Sequence, residues 1–122
     1  MTTVEALAGL GSLAQETRLT VFRLLVQRGP EGLAAGAIAE ALEVPASSLS
    51  FHLRQLMHAG LVTQERRSRQ LIYAANYERM NALLSYLTEN CCGAASGAPV
   101  ALGQCRPEGR PVKMRAAARG RR

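Results

Sequence analysis

Residues 43–60 constrain the fold of this chain more than any other stretch. Turning each residue by about 100° along Ser47 to Ala59 puts Leu49, Leu53, Leu56 and Met57 on one stripe. Ser47, Ser48, Phe51, Arg54, Gln55 and His58 fall on the opposite face. The segment therefore reads as an amphipathic helix with an apolar inner wall and an outer wall of hydrogen-bonding groups. Phe51 is the odd member of that outer wall, a large aromatic offered to solvent or to a partner. Glu43-Val44-Pro45 leads in as a turn, and Gly60 ends the helix.

The flanking segments fit around it. Val4, Leu7, Ala8 and Leu10 make a short, weakly amphipathic first helix. Ser12-Leu13-Ala14-Gln15 has the spacing of a capping box. It predicts a second helix that starts there, runs through Phe22, Leu25 and Val26, and stops at Gly29-Pro30. A third, short helix is predicted from Ala35 to Leu42. Leu61 to Arg66 and Gln70 to Ala75 carry the β-formers Val62, Leu71, Ile72 and Tyr73, with Arg67-Ser68-Arg69 as the tip of a hairpin. No Gly or Asn-Gly supports that turn. A fifth helix is predicted from Tyr77 to about Cys92, with Met80, Leu83, Leu84, Leu87 and Cys91 on one face. The fold class is mostly α with a small β-hairpin, in the ααααββα order of a winged helix-turn-helix. In such a module the second helix of the pair enters the major groove, and the hairpin reaches phosphates or the neighbouring minor groove.

Charge divides the chain. Residues 1–105 carry eight basic and eight acidic side chains. Residues 106–122 hold Arg106, Arg110, Lys113, Arg115, Arg119, Arg121 and Arg122 against Glu108 alone, which supplies the whole formal charge of +6. Rich in Pro, Gly, Ala and Arg, this tail cannot bury a core and is expected to be disordered. It either adds salt-sensitive attraction to nucleic acid or serves only as a solubilising extension. The expected organisation is a DNA-binding and dimerisation domain over residues 1–92, a Gly-containing flexible loop over 93–105 and the basic tail over 106–122. No apolar run reaches membrane-span length, and the N-terminus lacks a basic segment followed by an apolar one. No membrane partner is expected, and the cytoplasm is the expected location, where thiols stay reduced.

The wording of the central segment is specific. Ser47-Ser48-Leu49-Ser50-Phe51-His52-Leu53-Arg54-Gln55-Leu56, then Ala59-Gly60-Leu61-Val62, resembles the recognition helix and first wing strand of the ArsR/SmtB family of bacterial metal-sensing repressors. The similarity extends over roughly residues 5–92 and includes Thr17-Arg18-Leu19 and Leu24-Leu25. It implies operator DNA as a partner and a homodimer in which the first and fifth helices pair across a two-fold axis. Carried over residue by residue, it places base and phosphate contacts on Ser47, Ser48, Ser50 and Phe51, with His52, Arg54 and Gln55 beside them and Arg66, Arg67 and Arg69 at the wing tip. The side-chain chemistry agrees: Ser and Gln hydrogen-bond base edges or phosphates, Arg pairs with guanine or phosphate, and Phe packs on a thymine methyl. Each residue taken singly is also what a solvated helix carries. His52, on the flank of the apolar stripe, is equally a packed or capping histidine. The family often has a polar residue where Phe51 stands, so no operator sequence transfers.

The three cysteines, Cys91, Cys92 and Cys105, follow this segment. Soft thiolates suit a thiophilic ion better than a hard cation. The family's Cys-x-Cys-type arsenic site in the third helix would fall in Ala35–Leu42, which has no cysteine. Its Asp/His zinc site at the last helix is excluded by inventory, because the chain has no Asp and both histidines, His52 and His58, lie in the fourth helix. Glu89-Asn90-Cys91-Cys92 with Cys105 resembles a rarer arrangement in the family that binds arsenite, with antimonite and methylarsenite as alternative effectors of the same chemistry. This implies an arsenite-responsive repressor whose apo dimer holds its operator and lets go on capture. Two alternatives stay open: a redox switch built from the same thiols, and cysteines with no effector role. An enzyme is not expected, since neither a Cys-x-x-Cys motif nor a phosphate-type loop surrounds a nucleophilic cysteine, and no Ser/His/Asp or carboxylate pairing offers chemistry.

Overall fold

A computed structural model describes residues 1–91. Met1–Tyr86 form one compact unit. Five helices and three short strands appear in the order α1 (Thr3–Leu13), α2 (Glu16–Arg28), β1 (Leu33–Ala34), α3 (Ala35–Leu42), α4 (Ala46–His58), β2 (Val62–Arg67), β3 (Gln70–Ala75) and α5 (Tyr77–Leu87).

The apolar stripe of α4 organises this unit. Leu49, Leu53 and Leu56 are buried in a core with Val21, Phe22 and Leu25 of α2, Ile38 of α3, and Leu61, Val62, Tyr73 and Ala75 of the hairpin. Met57, at the edge of the stripe, packs against the same core while only partly buried. Each fully buried leucine contributes about 1.5–3 kcal/mol relative to exposure, which fixes the helix firmly about its own axis. The turn between α3 and α4 is made by Glu43, left-handed at φ 55°, whose amide and that of Val44 bond back to the end of α3.

The predicted hairpin is present, with β2 and β3 antiparallel in a register that runs from Val62↔Ala75 to Arg67↔Gln70. Its turn needs no glycine because Ser68 takes the positive φ, at 56°. The sheet has a third strand that sequence reasoning missed: β1 pairs with β3 through Leu33↔Tyr73 and Ala34↔Ile72, giving the order β1-β3-β2. Two residues are too few to show a period. Gly32 makes the approach possible, since its φ is 72° and a Cβ there would run into the Tyr73 carbonyl.

Two helix boundaries differ from expectation. Ser12 does not cap α2; it is the buried last turn of α1, and its hydroxyl donates to the Gly9 carbonyl at 2.9 Å. Gln15 caps α2 instead, its side-chain oxygen accepting from the Arg18 amide at 2.9 Å. A capping box stands instead at the start of α1, where the Thr2 hydroxyl accepts from the Glu5 amide and the Glu5 carboxylate from the Thr2 amide. The Thr2 amide bond is the main reason the Glu5 carboxyl is held below its ordinary pKa. At its other end, α5 stops at Leu87, short of the expected Cys92. Residues 88–90 form a turn, and Asn90 is left-handed at φ 58°. Asn tolerates that conformation because its short polar side chain bonds locally.

The first helix turns its small residues inward and its larger apolar ones outward. Ala6, Gly9 and Ser12 face the unit, while Val4 and Leu7 are 76% and 63% exposed. At Gly9, α1 packs beside Leu83 of α5, which lies at ordinary contact distance, 3.5 Å, from where a Cβ would stand. Residues 92–122 lie outside the described residues, and with them the expected loop over 93–105 and tail over 106–122.

If the α4 stripe anchors the fold, Leu56→Ala should lower stability by about 2–5 kcal/mol. Urea unfolding followed by circular dichroism measures it, and a loss below ~1 kcal/mol would mean that the site collapses freely.

Candidate DNA interface

The burial that roots α4 also decides what it presents. Ser47, Ser48, Ser50, Phe51, Arg54 and Gln55 are all exposed along one side of the helix, together with His58. No side chain caps the start of α4, where Pro45 stands. Its first-turn amides therefore keep the partial positive charge of a helix N-terminus, which suits a phosphate. Arg54, Gln55, Met57 and His58 line an open depression. These groups offer hydroxyl, amide and guanidinium hydrogen bonds on a helix slim enough for a major groove.

The hairpin carries the basic residues beyond the helix. Arg66, Arg67 and Arg69 are exposed at or beside its tip. Arg67 is tied to the protein, donating to the Glu31 carbonyl at 3.3 Å and pairing with Glu65 at 3.2 Å. That pair is exposed on both sides and contributes little to stability. Its effect is to hold Arg67 against the hairpin, so Arg66 and Arg69 are better disposed to reach a phosphate.

His52 is placed differently from its neighbours. It is half-buried between α4 and α2, where Arg18 Nη1 donates to its Nδ1 at 3.3 Å. Because a guanidinium cannot accept, this contact requires the imidazole to be neutral with Nδ1 unprotonated. Burial first, and the Arg18 charge second, hold its pKa below the ordinary histidine value. Arg18 is also bonded through Nε to the Ser12 carbonyl at the end of α1, at 2.6 Å. It thus ties α1, α2 and α4 together. Sequence reasoning gave Arg18 no role of its own; the only signal was its place in Thr17-Arg18-Leu19, and no spacing rule joins it to a histidine 34 positions later.

The three thiols are only partly in view. Cys91 is half-buried just past the α5 turn, its amide donating to the Thr88 carbonyl at 2.9 Å. Cys92 and Cys105 lie outside the described residues. Among the described residues, no three His, Cys, Asp or Glu side chains converge in a way that would hold a metal ion. No helix among them is long and apolar enough to cross a membrane.

Residues 13–65, from the end of α1 through most of β2, match a family described as a helix-turn-helix domain. The arsenical resistance operon repressor of Bacillus subtilis (strain 168) is 38% identical over 81 residues, covering 66% of this chain and 73% of that protein. The chain belongs to the ArsR family. Two solved structures agree with this membership. An ArsR-like transcriptional regulator from Rhodococcus sp. RHA1 superposes with a TM-score of 0.62 at 26% identity, over 69% of this chain and 76% of that one. A homodimeric winged helix-turn-helix DNA-binding domain from Mycobacterium bovis superposes with a TM-score of 0.57 at 27% identity, over 70% and 80%. This ArsR-family chain is accordingly a winged helix-turn-helix transcriptional repressor rather than an enzyme, with α3 and α4 as the helix-turn-helix and β2–β3 as the wing.

The His52 contact has a pH signature. A lowered folded-state pKa means that the unfolded chain binds more protons, so stability is complete above the ordinary histidine value and is lost as pH falls through the lowered one. Imidazole NMR titration should place the His52 midpoint below about 6.5, with stability falling on that acid side. A midpoint at or above that value would show that Arg18 does not face a neutral ring.

Proposed function

We propose that this ArsR-family repressor is an arsenite sensor of the bacterial cytoplasm, which binds operator DNA as an apo homodimer and releases it when trivalent arsenic engages Cys91, Cys92 and Cys105. The observation that carries the proposal is the vicinal pair Cys91-Cys92, followed by Cys105, in a chain similar to an arsenical resistance operon repressor. Three sulfur donors match the trigonal preference of a soft, thiophilic ion, and antimonite or methylarsenite would use the same chemistry.

Dimerisation is supported by apolar surface left uncovered in one protomer. Val4, Leu7 and Leu10 stand out along α1. Leu19, Phe22 and Val26 of α2 and Met80, Leu83 and Leu84 of α5 line an apolar groove of about 310 Å³. A patch of this kind on so small a domain suits a two-fold interface. Two recognition helices would then face half-sites about one DNA turn apart. Arsenic can release the operator only through a difference in its affinity for the free and DNA-bound states, and couplings of about 1–3 kcal/mol correspond to 5–150-fold changes in affinity.

The test is fluorescence anisotropy of the reduced protein on its own upstream DNA, titrated with arsenite and separately with a mild oxidant. Stoichiometric arsenite should release the DNA under reducing conditions. Cys91→Ser and Cys92→Ser should each bind as tightly as the parent yet fail to release. Release by oxidant alone would make the thiols a redox switch, and variants that lose DNA binding as well would make the cysteines structural.

A further inference from the structure

Phe51 stands apart from every other large aromatic in the described residues. It is 47% exposed, while Leu49 and Leu53 on either side of it are buried at 1%. A phenyl ring in the middle of a polar helix face loses nothing by being absent unless it meets something apolar. Its ring is not loose. It meets the His52 ring edge-on, with centroids 5.6 Å apart and planes at 65°, an arrangement aromatic pairs prefer. His52 in turn is held by Arg18, and Arg18 by the Ser12 carbonyl. The chain Ser12–Arg18–His52–Phe51 therefore runs from the end of α1, under α4, to the outer face.

The base edges of a major groove are almost wholly hydrogen-bonding groups. Thymine adds one apolar feature, its C5-methyl, which adenine, guanine and cytosine lack. Phenylalanine has no donor or acceptor, so the methyl is the part of a base edge that it can bury with profit. Ser47, Ser48, Ser50, Arg54 and Gln55 around it supply polar contacts that phosphates can satisfy as well as bases. We propose that Phe51 sets the base preference of α4 by packing on a thymine C5-methyl, with His52, clamped by Arg18, as the residue that positions it. This rests on α4 being the DNA-reading helix and names the feature that it reads.

The test separates the two layers. Sites are selected from a random duplex pool with the full-length reduced protein. Affinity is then measured on the selected duplex and on versions with 2′-deoxyuridine replacing each selected thymine. Removing a single buried methyl should weaken binding about fourfold at one thymine in each half-site. In Phe51→Ser, the thymine and uracil duplexes should bind equally, while Phe51→Leu, still apolar, should keep a ratio above one. His52→Ala should narrow the ratio. Each ratio is taken within one variant, so a partly inactive preparation cancels. Equal binding of both duplexes by the parent protein, or an unchanged ratio in Phe51→Ser, overturns the assignment of Phe51. An unchanged ratio in His52→Ala overturns the positioning role. Failure to select any site overturns the DNA-reading role of α4 itself.

Discussion

Leu49, Leu53 and Leu56 sink into a core made by α2, α3 and the hairpin, and their burial decides which way every other residue of α4 points. A helix rooted by three leucines one turn apart cannot rotate without lifting several apolar side chains into water. The outward display of Ser47, Ser48, Ser50, Phe51, Arg54 and Gln55 is therefore a consequence of the core, not a separate design. The same core grips the base of the wing through Val62, Tyr73 and Ala75, so that helix and hairpin are held by one packing arrangement. Precision of this kind is what a site needs when it is to meet a duplex with a fixed groove.

A thinner connection runs at the edge of that core. Arg18 reaches from α2 to the carbonyl end of α1 and to His52 on α4. In a dimer built on α1 and α5, this guanidinium would lie between the interface and the recognition helix. It gives the helix a polar tether on the flank where the leucine stripe ends, and it explains why a half-buried imidazole beside a cation is tolerated: the ring is needed as an acceptor and so remains neutral.

Much of this was legible in the chain because the signals were periodic. The α4 stripe, the short α3 and the β3 strand stand within a residue of where spacing put them, and the ArsR resemblance rested mainly on α4 and the Ala59–Val62 stretch that follows it. What was not legible has physical causes. The two residues of β1 are too few for a pattern and depend on Gly32 lying against Tyr73 of a strand distant in sequence. Ser12 and Gln15 have capping-box spacing, but Thr2 and Glu5 have it too, and only packing shows which pair stands at a helix start. The apolar residues of α1 were visible, but only the resemblance implied an outward direction for them, since a monomer and a dimer give one sequence pattern. Arg18 and His52 meet through tertiary structure alone. Of the three cysteines, Cys91 lies among the described residues.

The central claim is that the leucine-rooted face of α4, with the wing, is the surface that meets DNA. Amide chemical-shift mapping of the reduced protein against a selected duplex tests it most directly. The account predicts changes concentrated at Ser47, Ser48, Ser50, Phe51, Arg54 and Gln55 and at Arg66 and Arg69, with Val4 and Leu7 of α1 little altered. Changes centred on α1 and α5, with the α4 face silent, would contradict it.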